Sequence, residues 1–396
     1  MNKKGGILPY FFWIAIGVGI DYSIHLLSSI YYYRERGVSR SESVIQALST
    51  VSRPILANAL GIPAVSDRVA QMVVKMYLEP EVEPIFHPDS YGYISGRSAL
   101  DAVGVVRKRC WWYNWAIDLD IQGFFDNIDH GLMMHAVKRH TDSKWMLLYI
   151  ERWLKAPAQL DDGSLIERVK GTPQGGVISP LLANIFLHHA FDEWMRVNHS
   201  STPFARYADD IIVHCRTEVQ ARVMLKVIER RLARCKLQLH PEKTKIVYCK
   251  DAKRPGSYEH ESFDFLGYSF RPRDCKGRNY FVGFTPAVSK SAIKAMSATI
   301  RGWKLQLWSS SSLEDIARRI NPVIRGWLNY YGRYYKSAMR PILRQLQNAL
   351  VRWTIRKYKR LRGHWLKATH WLGRIARREP GLIVSWEFGF RPSAGQ

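Results

Sequence analysis

Acidic residues are scarce in this chain. It carries 34 Asp and Glu against 59 Lys and Arg, a formal net charge of +25. Such an imbalance argues about partners rather than fold. It points toward nucleic acid, whose phosphates reward many cations with counterion release, while charge alone reads equally as a ribosome-like or merely soluble basic protein. Cysteine is scarce too. Cys110, Cys215, Cys235, Cys249 and Cys275 form no CxxC pair and have no histidine cluster beside them. That excludes a disulfide scaffold and a zinc ribbon, and implies reduced thiols in a cytosolic protein. No internal repeat is present, which excludes a solenoid. The one low-complexity piece, Ser309 to Ser312, is expected to be a linker. A single long apolar run, Ile7 to Ile30, is broken by Asp21 and His25. It is long enough to cross a membrane. No small-residue cleavage site follows it, so it does not read as a secretory signal.

The 396 residues are enough for two or three domains. The first 60 differ from the rest. Gly17-Val18-Gly19-Ile20-Asp21-Tyr22-Ser23-Ile24-His25-Leu26, followed by Arg34-Glu35-Arg36-Gly37, resembles a piece of an export permease of the RND superfamily. The resemblance implies a host-gene fragment joined to another protein. One helix with an unpartnered Asp21 transports nothing. The other reading is a buried helix of a soluble domain.

Beyond Leu60 the composition is that of a soluble enzyme. Ala116 to Leu119 reads as a buried strand, and Asp161-Asp162-Gly163 as a hairpin turn. Pro180 to Met195 and Val219 to Cys235 read as helices, and Phe204 to Val213 as a hairpin with Ala208-Asp209 near its tip.

Two acidic elements carry the chemistry. Tyr207-Ala208-Asp209-Asp210 places adjacent carboxylates at a tight turn between apolar strands, which is costly unless a cation neutralises them. Taken alone, such a pair reads equally as a solvated turn. The second element is Ala116 to Asp126. On a strand Asp118 and Asp120 share one face, and Ile117, Leu119 and Ile121 the other. Carboxylates from both elements would suit magnesium, whose ligands are hard oxygens. Two such ions about 3.5–4 Å apart would clamp the attacking hydroxyl and the leaving pyrophosphate of a nucleotidyl transfer.

At this point the order of motifs resembles that of group II intron reverse transcriptases, across roughly residues 60 to 390. The fingers blocks are Leu60-Gly61-Ile62-Pro63 with Asp67-Arg68 and Gln71, then Ser90-Tyr91-Gly92-Tyr93 with Gly96-Arg97-Ser98-Ala99. The catalytic blocks are Asp120 to Asp126 and Tyr207 to Asp210. Between them lies the nucleotide-pocket block, Gly171 to Gly176 with Ser179-Pro180. Leu239, Lys243-Thr244 and Phe265-Leu266-Gly267-Tyr268 complete the polymerase. The resemblance implies that Asp120, Asp209 and Asp210 hold two Mg²⁺ ions and are the catalytic residues, with Asp118 supporting the strand. It implies nucleotide contacts from Phe125, Gln174, Gly175, Arg97 and Lys243. Phe125 would stack under the sugar and exclude a 2′-hydroxyl, although it reads equally as core. Gly175-Gly176 reads equally as a turn, and Lys243 as a solvated helix-start lysine. Phe265 to Tyr268 would grip the primer end.

From Pro286 to Arg378 there are 21 Lys and Arg and two acids, a net charge of +19. Six tryptophans and five tyrosines interleave with them, a composition suited to structured and single-stranded RNA. Asn321-Pro322 reads as a helix start. After it Ile324, Trp327, Leu328, Tyr331 and Tyr335 line one face, and Arg325, Asn329, Arg333 and Lys336 another. This region resembles the family's thumb, and Arg352 to Trp386 its C-terminal maturase extension. The RNA-binding candidates are Arg325, Arg333, Lys336, Arg352, Arg356, Lys357, Lys359 and Arg360. No cysteine pairs follow, so no HNH endonuclease domain is expected.

The expected fold is α+β, a right-hand polymerase with fingers, an antiparallel-sheet palm, a helical thumb and a basic helical C-terminal region. The expected divisions are 1–59, 60–285, 286–345 and 346–396. The expected activity is RNA-directed DNA polymerisation joined to binding of a group II intron RNA for splicing and mobility. Template RNA, a DNA or RNA primer and deoxynucleoside triphosphates are the expected partners. The expected location is a cytoplasmic ribonucleoprotein, with weak membrane association through residues 7–30. The chain departs from the family where a fingertip lysine and two arginines are usual. Asn58 and Ile94-Ser95 stand at the arginine positions. The alternative reading is therefore a non-enzymatic RNA-binding splicing cofactor with an impaired polymerase site.

Overall fold

A computed structural model describes residues 65–159, 165–173, 175–276 and 280–395. The permease-like stretch, Asn58, the turn at 161–163 and Gln174 lie outside them. The described chain divides into two compact units. The first is built from residues up to 102, 117–213 and 218–244, the second from 103–116, 214–217 and 245–396.

In chain order the elements are α1 (Val65–Val82), α2 (Ala99–Trp112), β1 (Trp115–Leu119), α3 (Phe124–Asn127), α4 (His130–Lys138) and α5 (Lys144–Lys155). Then come β2 (Ala158–Gln159), β3 (Leu165–Ile166), α6 (Ser179–Leu187), α7 (Glu193–Asn198), β4 (Phe204–Tyr207), β5 (Asp210–Cys215), α8 (Glu218–Arg234) and β6 (Lys245–Tyr248). One sheet runs in the order β4-β5-β1-β6. Its β4 and β5 pair antiparallel, Phe204 opposite Val213 and Tyr207 opposite Asp210. β1 follows the alternation of its sequence: Ile117 and Leu119 are buried, Asp118 half-buried. The short β2 and β3 pair antiparallel.

The helix expected over 180–195 is interrupted. α6 gives way at His188–Asp192 to a π turn before α7 resumes. Such a turn leaves carbonyls without their usual helical partners. Arg231 of α8 meets them, its guanidinium donating to Ala190 O and His189 O. α4 starts on Asp129, which accepts from Leu132 N, as an N-cap aspartate should.

The second unit carries β7 (Phe263–Phe265), β8 (Tyr268–Lys276) and β9 (Tyr280–Val288), an antiparallel sheet in that order. Five helices follow: α9 (Lys290–Gly302), α10 (Leu313–Tyr331), α11 (Arg340–Lys357), α12 (Trp365–Arg378) and α13 (Val384–Glu387). They share a core that includes Ile316, Ile320, Ile324, Leu343, Leu350, Trp353, Leu372 and Trp386.

Two expectations are corrected here. Asn321-Pro322 does not begin a helix; Pro322 lies inside α10. The start is Ser312, whose hydroxyl and backbone form a reciprocal capping box with Asp315. So Ser309 to Ser312 ends as a helix cap rather than a free linker. A proline inside a helix costs about 3 kcal/mol. Burial of Ile316, Ile320, Ile324 and Leu328 at helical spacing offsets it, at about 1.5–3 kcal/mol for each fully buried side chain. Asn321 serves as a clasp instead: its amide donates to Leu382 O and accepts from Val384 N. Among the described residues, no helix is long and apolar enough to cross a membrane.

Candidate active site

The acidic turn joins β4 to β5. Ala208 and Asp209 are the two residues between the strands, and Ala208 is held at φ 55. A left-handed conformation costs a non-glycine residue roughly 1–2 kcal/mol. The hairpin therefore spends stability on this geometry.

Asp120 comes from the end of β1 and is held by a segment far along the chain. His240 N donates to Asp120 O at 2.8 Å, and Gln122 N donates to Gln238 O at 2.9 Å. Ile121 bridges Leu239 antiparallel, and Thr244 Oγ1 lies 3.4 Å from Asp120 N. The Lys243 ammonium stands 3.5 Å from the Asp120 carboxylate.

Both acids of the turn feel the Asp120 charge. Burial raises the Asp209 pKa, and the Asp120 charge adds to it, while Arg206 opposes the rise. Asp210 keeps exposed surface, yet burial around its carboxyl pushes its pKa up to about 6, with the charges of Asp209 and Asp120 reinforcing the shift. Turn carboxylates whose pKa is raised by a neighbouring negative charge sit in a field a hard cation would relieve. In that respect Asp120, Asp209 and Asp210 fit a divalent metal. Among the described residues, no three acidic, histidine or cysteine side chains already converge at metal-ligating spacing.

The pocket loop, residues 171–179, is stitched to its surroundings. Thr172 N donates to Phe125 O at 2.8 Å, and Gly171 N to Ile128 O at 2.7 Å. Gly171 has φ 84, and a Cβ there would lie 2.8 Å from Asp126 O, so glycine permits the approach. Gln71 Oε1 accepts from Val177 N, and Ser179 Oγ donates to Pro173 O. Phe125 is half-buried, edge-on to the fully buried Phe124. Gly175 is exposed with φ 79. Arg97 is a loop strut: its Nη1 donates to His87 O and Ser90 O. Ile94 is buried, 6% exposed, so the side chain at that position faces the core.

In the second unit, Phe265 and Tyr268 flank the turn made by Leu266 (φ 50) and Gly267 (φ 77). Both aromatic side chains are buried. Tyr268 packs against Tyr330, Tyr331 and Tyr334 and donates its hydroxyl to Tyr330 O. A Cβ at Gly267 would lie 2.9 Å from the Tyr331 hydroxyl. The outward-facing part of this motif is thus the turn alone.

The cations of the same unit are displayed, but not on one helical face: α10 ends at Tyr331, so Arg333 lies in the turn after it, and Lys336, Lys359 and Arg360 lie in short 3-10 turns. Arg325, Arg333, Lys336, Arg352, Arg356, Lys359 and Arg360 are exposed. Lys357 is half-buried, donating to Ser309 O and Ser311 O. The aromatics are a different matter. Trp353 is fully buried and donates to Trp308 O, Trp303 stacks on Trp327, and Tyr358 packs on Trp371. Of the six tryptophans only Trp365 is exposed. The interleaved rings mostly build the core that displays the cations.

Sequence reasoning passed over Gly92, Tyr93, Asn184, Asp192 and Arg206 as site residues. Tyr93 stands beside the turn, its ring 6.2 Å from Tyr207. Burial raises its pKa, and Tyr207, Asp209 and Asp210 add to the rise. The signal available was an arginine three residues before Asp209 inside an otherwise apolar strand.

The reverse transcriptase (RNA-dependent DNA polymerase) family matches residues 58–270, and the group II intron maturase-specific domain matches residues 293–371. Protein YkfC of Escherichia coli (strain K12) is 32% identical over 290 residues, covering 63% of this chain and 72% of that protein. The group II intron-encoded protein LtrA of Lactococcus lactis subsp. cremoris is 37% identical over 129 residues, 33% of this chain but only 21% of LtrA. Among solved structures, apo telomerase from Candida Tropicalis aligns with a TM-score of 0.43 at 12% identity, covering 91% of this chain and 65% of that one.

Proposed function

On the premise that the chain belongs to the reverse transcriptase family and joins to it a group II intron maturase-specific domain, we propose that it copies RNA into DNA and binds its own intron RNA. The carrying observation is that folding brings Asp120, just past the end of β1, near enough to the β4–β5 turn for its charge to act on both Asp209 and Asp210. Asp120, Asp209 and Asp210 would hold two Mg²⁺ ions, which when bound would supply Lewis-acid chemistry for a primer 3′-hydroxyl and a leaving pyrophosphate. Phe125 would lie under the deoxyribose, and Gly175 would let the nucleotide approach the backbone. Lys243 supplies a cation beside Asp120. Exposed cations of the second unit would grip the intron and template–primer phosphates. The test is primer extension on an RNA template with deoxynucleoside triphosphates, with and without Mg²⁺. Extension that needs both template and metal supports the reading, and none under any condition overturns the polymerase half.

One observation favours the second reading, a splicing cofactor with a weak polymerase. Arg97, the arginine the resemblance assigns to the nucleotide, is occupied by loop carbonyls, and position 94 offers no cation because its side chain is buried in the core. A KM for deoxynucleotides far above the micromolar range, with RNA affinity intact, would favour that reading.

For residues 7–60 we retain the reading of a fused permease fragment. It is supported by the motif at 17–26 and the apolar run at 7–30. The proposed location is a cytoplasmic ribonucleoprotein with weak membrane attachment through that run. Asp21 lies within that run, and inserting it into a bilayer would cost about 2.5–3.5 kcal/mol, which would keep the attachment weak. Deleting residues 1–59 should abolish any membrane fractionation, and identical fractionation of both forms would overturn this.

A further inference from the structure

Arg206 is among the largest side chains this protein buries completely. Its guanidinium makes a fork to Asp192, Nε to Oδ1 at 2.8 Å and Nη2 to Oδ2 at 2.6 Å, and both side chains are fully buried. A buried ion pair is weak evidence for stability, since apolar residues of similar size often serve as well. Apolar residues could not do what the third arm does. Nη1 donates to Asn184 Oδ1 and to Ala208 O, both at 3.0 Å.

Ala208 is the strained residue that immediately precedes Asp209 and Asp210. Its carbonyl is held by a group that cannot move without breaking the Asp192 fork. The other side of the turn is also occupied. Asn184 Nδ2 donates to Gly92 O at 2.7 Å. Segment 89–92 is laced to β4 by Arg206 N to Asp89 O (2.9 Å) and Tyr91 N to Arg206 O (2.8 Å). A Cβ on Gly92 would fall 2.4 Å from Ala208 N and 3.0 Å from Tyr207 C. The turn is therefore gripped at its carbonyl by Arg206 and at its amide side by the bare Cα of Gly92.

We propose that Arg206 is a positioning residue of the active site: with Asp192, Asn184 and Gly92 it sets the orientation in which the turn presents Asp209 and Asp210. This rests on the reading of that turn as the polymerase's acidic turn. Arg206 is fully buried and acts only through the Ala208 backbone. A misplacement of about 1 Å can cost about 100-fold in rate, so the clamp has leverage although it lies behind the chemistry.

The test compares the full-length parent with R206M/D192L, with G92A, and with D209N as the catalytic benchmark. Replacing both members of the ion pair leaves no orphan charge in the core, so the double variant is expected to fold. Four readouts are taken: thermal melting, RNA affinity, steady-state extension, and hydrogen–deuterium exchange of peptides spanning 207–210. The expected result for R206M/D192L is native-like melting and unchanged RNA affinity, with kcat about 100-fold lower and KM for nucleotide little moved. Exchange should rise at 207–210 and not across α6. G92A should lower kcat about tenfold or more with the same local exchange signature. Parent-like kcat and parent-like exchange in the double variant would make Arg206 a core strut and overturn the proposal. If the double variant does not fold, G92A decides, since it touches the turn and leaves the ion pair whole. If the parent extends no primer, the polymerase reading fails by itself. The exchange data still judge the clamp: protection at 207–210 that survives loss of Arg206 refutes it.

Discussion

The Lys243 ammonium stands 3.5 Å from the Asp120 carboxylate, with the two side chains 62% and 35% exposed. A pair so open to solvent contributes about 0–1 kcal/mol to stability. Its charge is better placed to meet an incoming phosphate than to hold the fold. Lys243→Met should leave the melting temperature unchanged and raise KM for deoxynucleotides. Parent-like extension kinetics would remove Lys243 from the nucleotide site.

Asp209→Asn should abolish DNA synthesis and spare RNA binding. The substitution removes an oxygen ligand and a charge where transition-state charge develops, but no cation that grips phosphate. Extension and filter binding on the same preparation check both halves. Synthesis equal to the parent's would unseat Asp209.

Ile94→Arg is the substitution the family comparison invites, and the structure predicts that it fails. Ile94 is 6% exposed. A guanidinium forced into that site loses its hydration without a partner, so stability should fall by about 3 kcal/mol or more. Urea denaturation measures it. Unchanged stability together with a lower nucleotide KM would show that the side chain can reach the substrate.

Acid should destabilise the second unit through His214. The ring is fully buried, and neither nitrogen has a hydrogen-bond partner among the described residues. Burial lowers its pKa from 6.5 to about 3, and nearby Arg109 adds to the shift. The unfolded chain therefore binds a proton between these values that the folded chain refuses. The His214 contribution is flat above pH 6.5 and falls as pH drops toward 3. Between pH 6.5 and 5 the loss should be about 2 kcal/mol. His214→Phe should flatten that part of the stability–pH curve. A curve of unchanged slope would show that the ring is not held neutral.

Replacing Arg352, Arg356, Lys359 and Arg360 by glutamine should weaken RNA binding and make it less salt-sensitive. All four are exposed on the helical second unit. Every phosphate that the variant no longer neutralises should reduce the log–log salt slope by about 0.7 on single-stranded RNA. An unchanged slope would place the RNA surface elsewhere.

Much of this protein was legible in its residues because the relevant physics is local. Period-two alternation predicted β1 with Ile117 and Leu119 buried and Asp118 less so, although the strand ends at Leu119, one residue before Asp120. Two apolar runs around Ala208-Asp209 made a hairpin. Helical spacing in 313–331 separated Ile324 and Leu328 from Arg325 and Asn329, and the scarcity of acids after Pro286 left that surface basic.

What only the tertiary structure decided involves partners far apart in the chain. Nothing near Pro322 says that a helix will run through it; the buried face of α10 overrides the local cost. Ile94 stood as a lost cation until the core enclosed it. Arg206 drew no reading from the sequence, where it is one charge in an apolar strand. Its meaning came from Asp192, 14 positions away, and from Asn184, which reaches Gly92 across 92 positions. Periodicity is set by neighbours within one helical turn or one strand pair. A buried charge, a strained carbonyl and a glycine pressed against a turn become a device only when folding brings them together, because each is unfavourable until the others satisfy it.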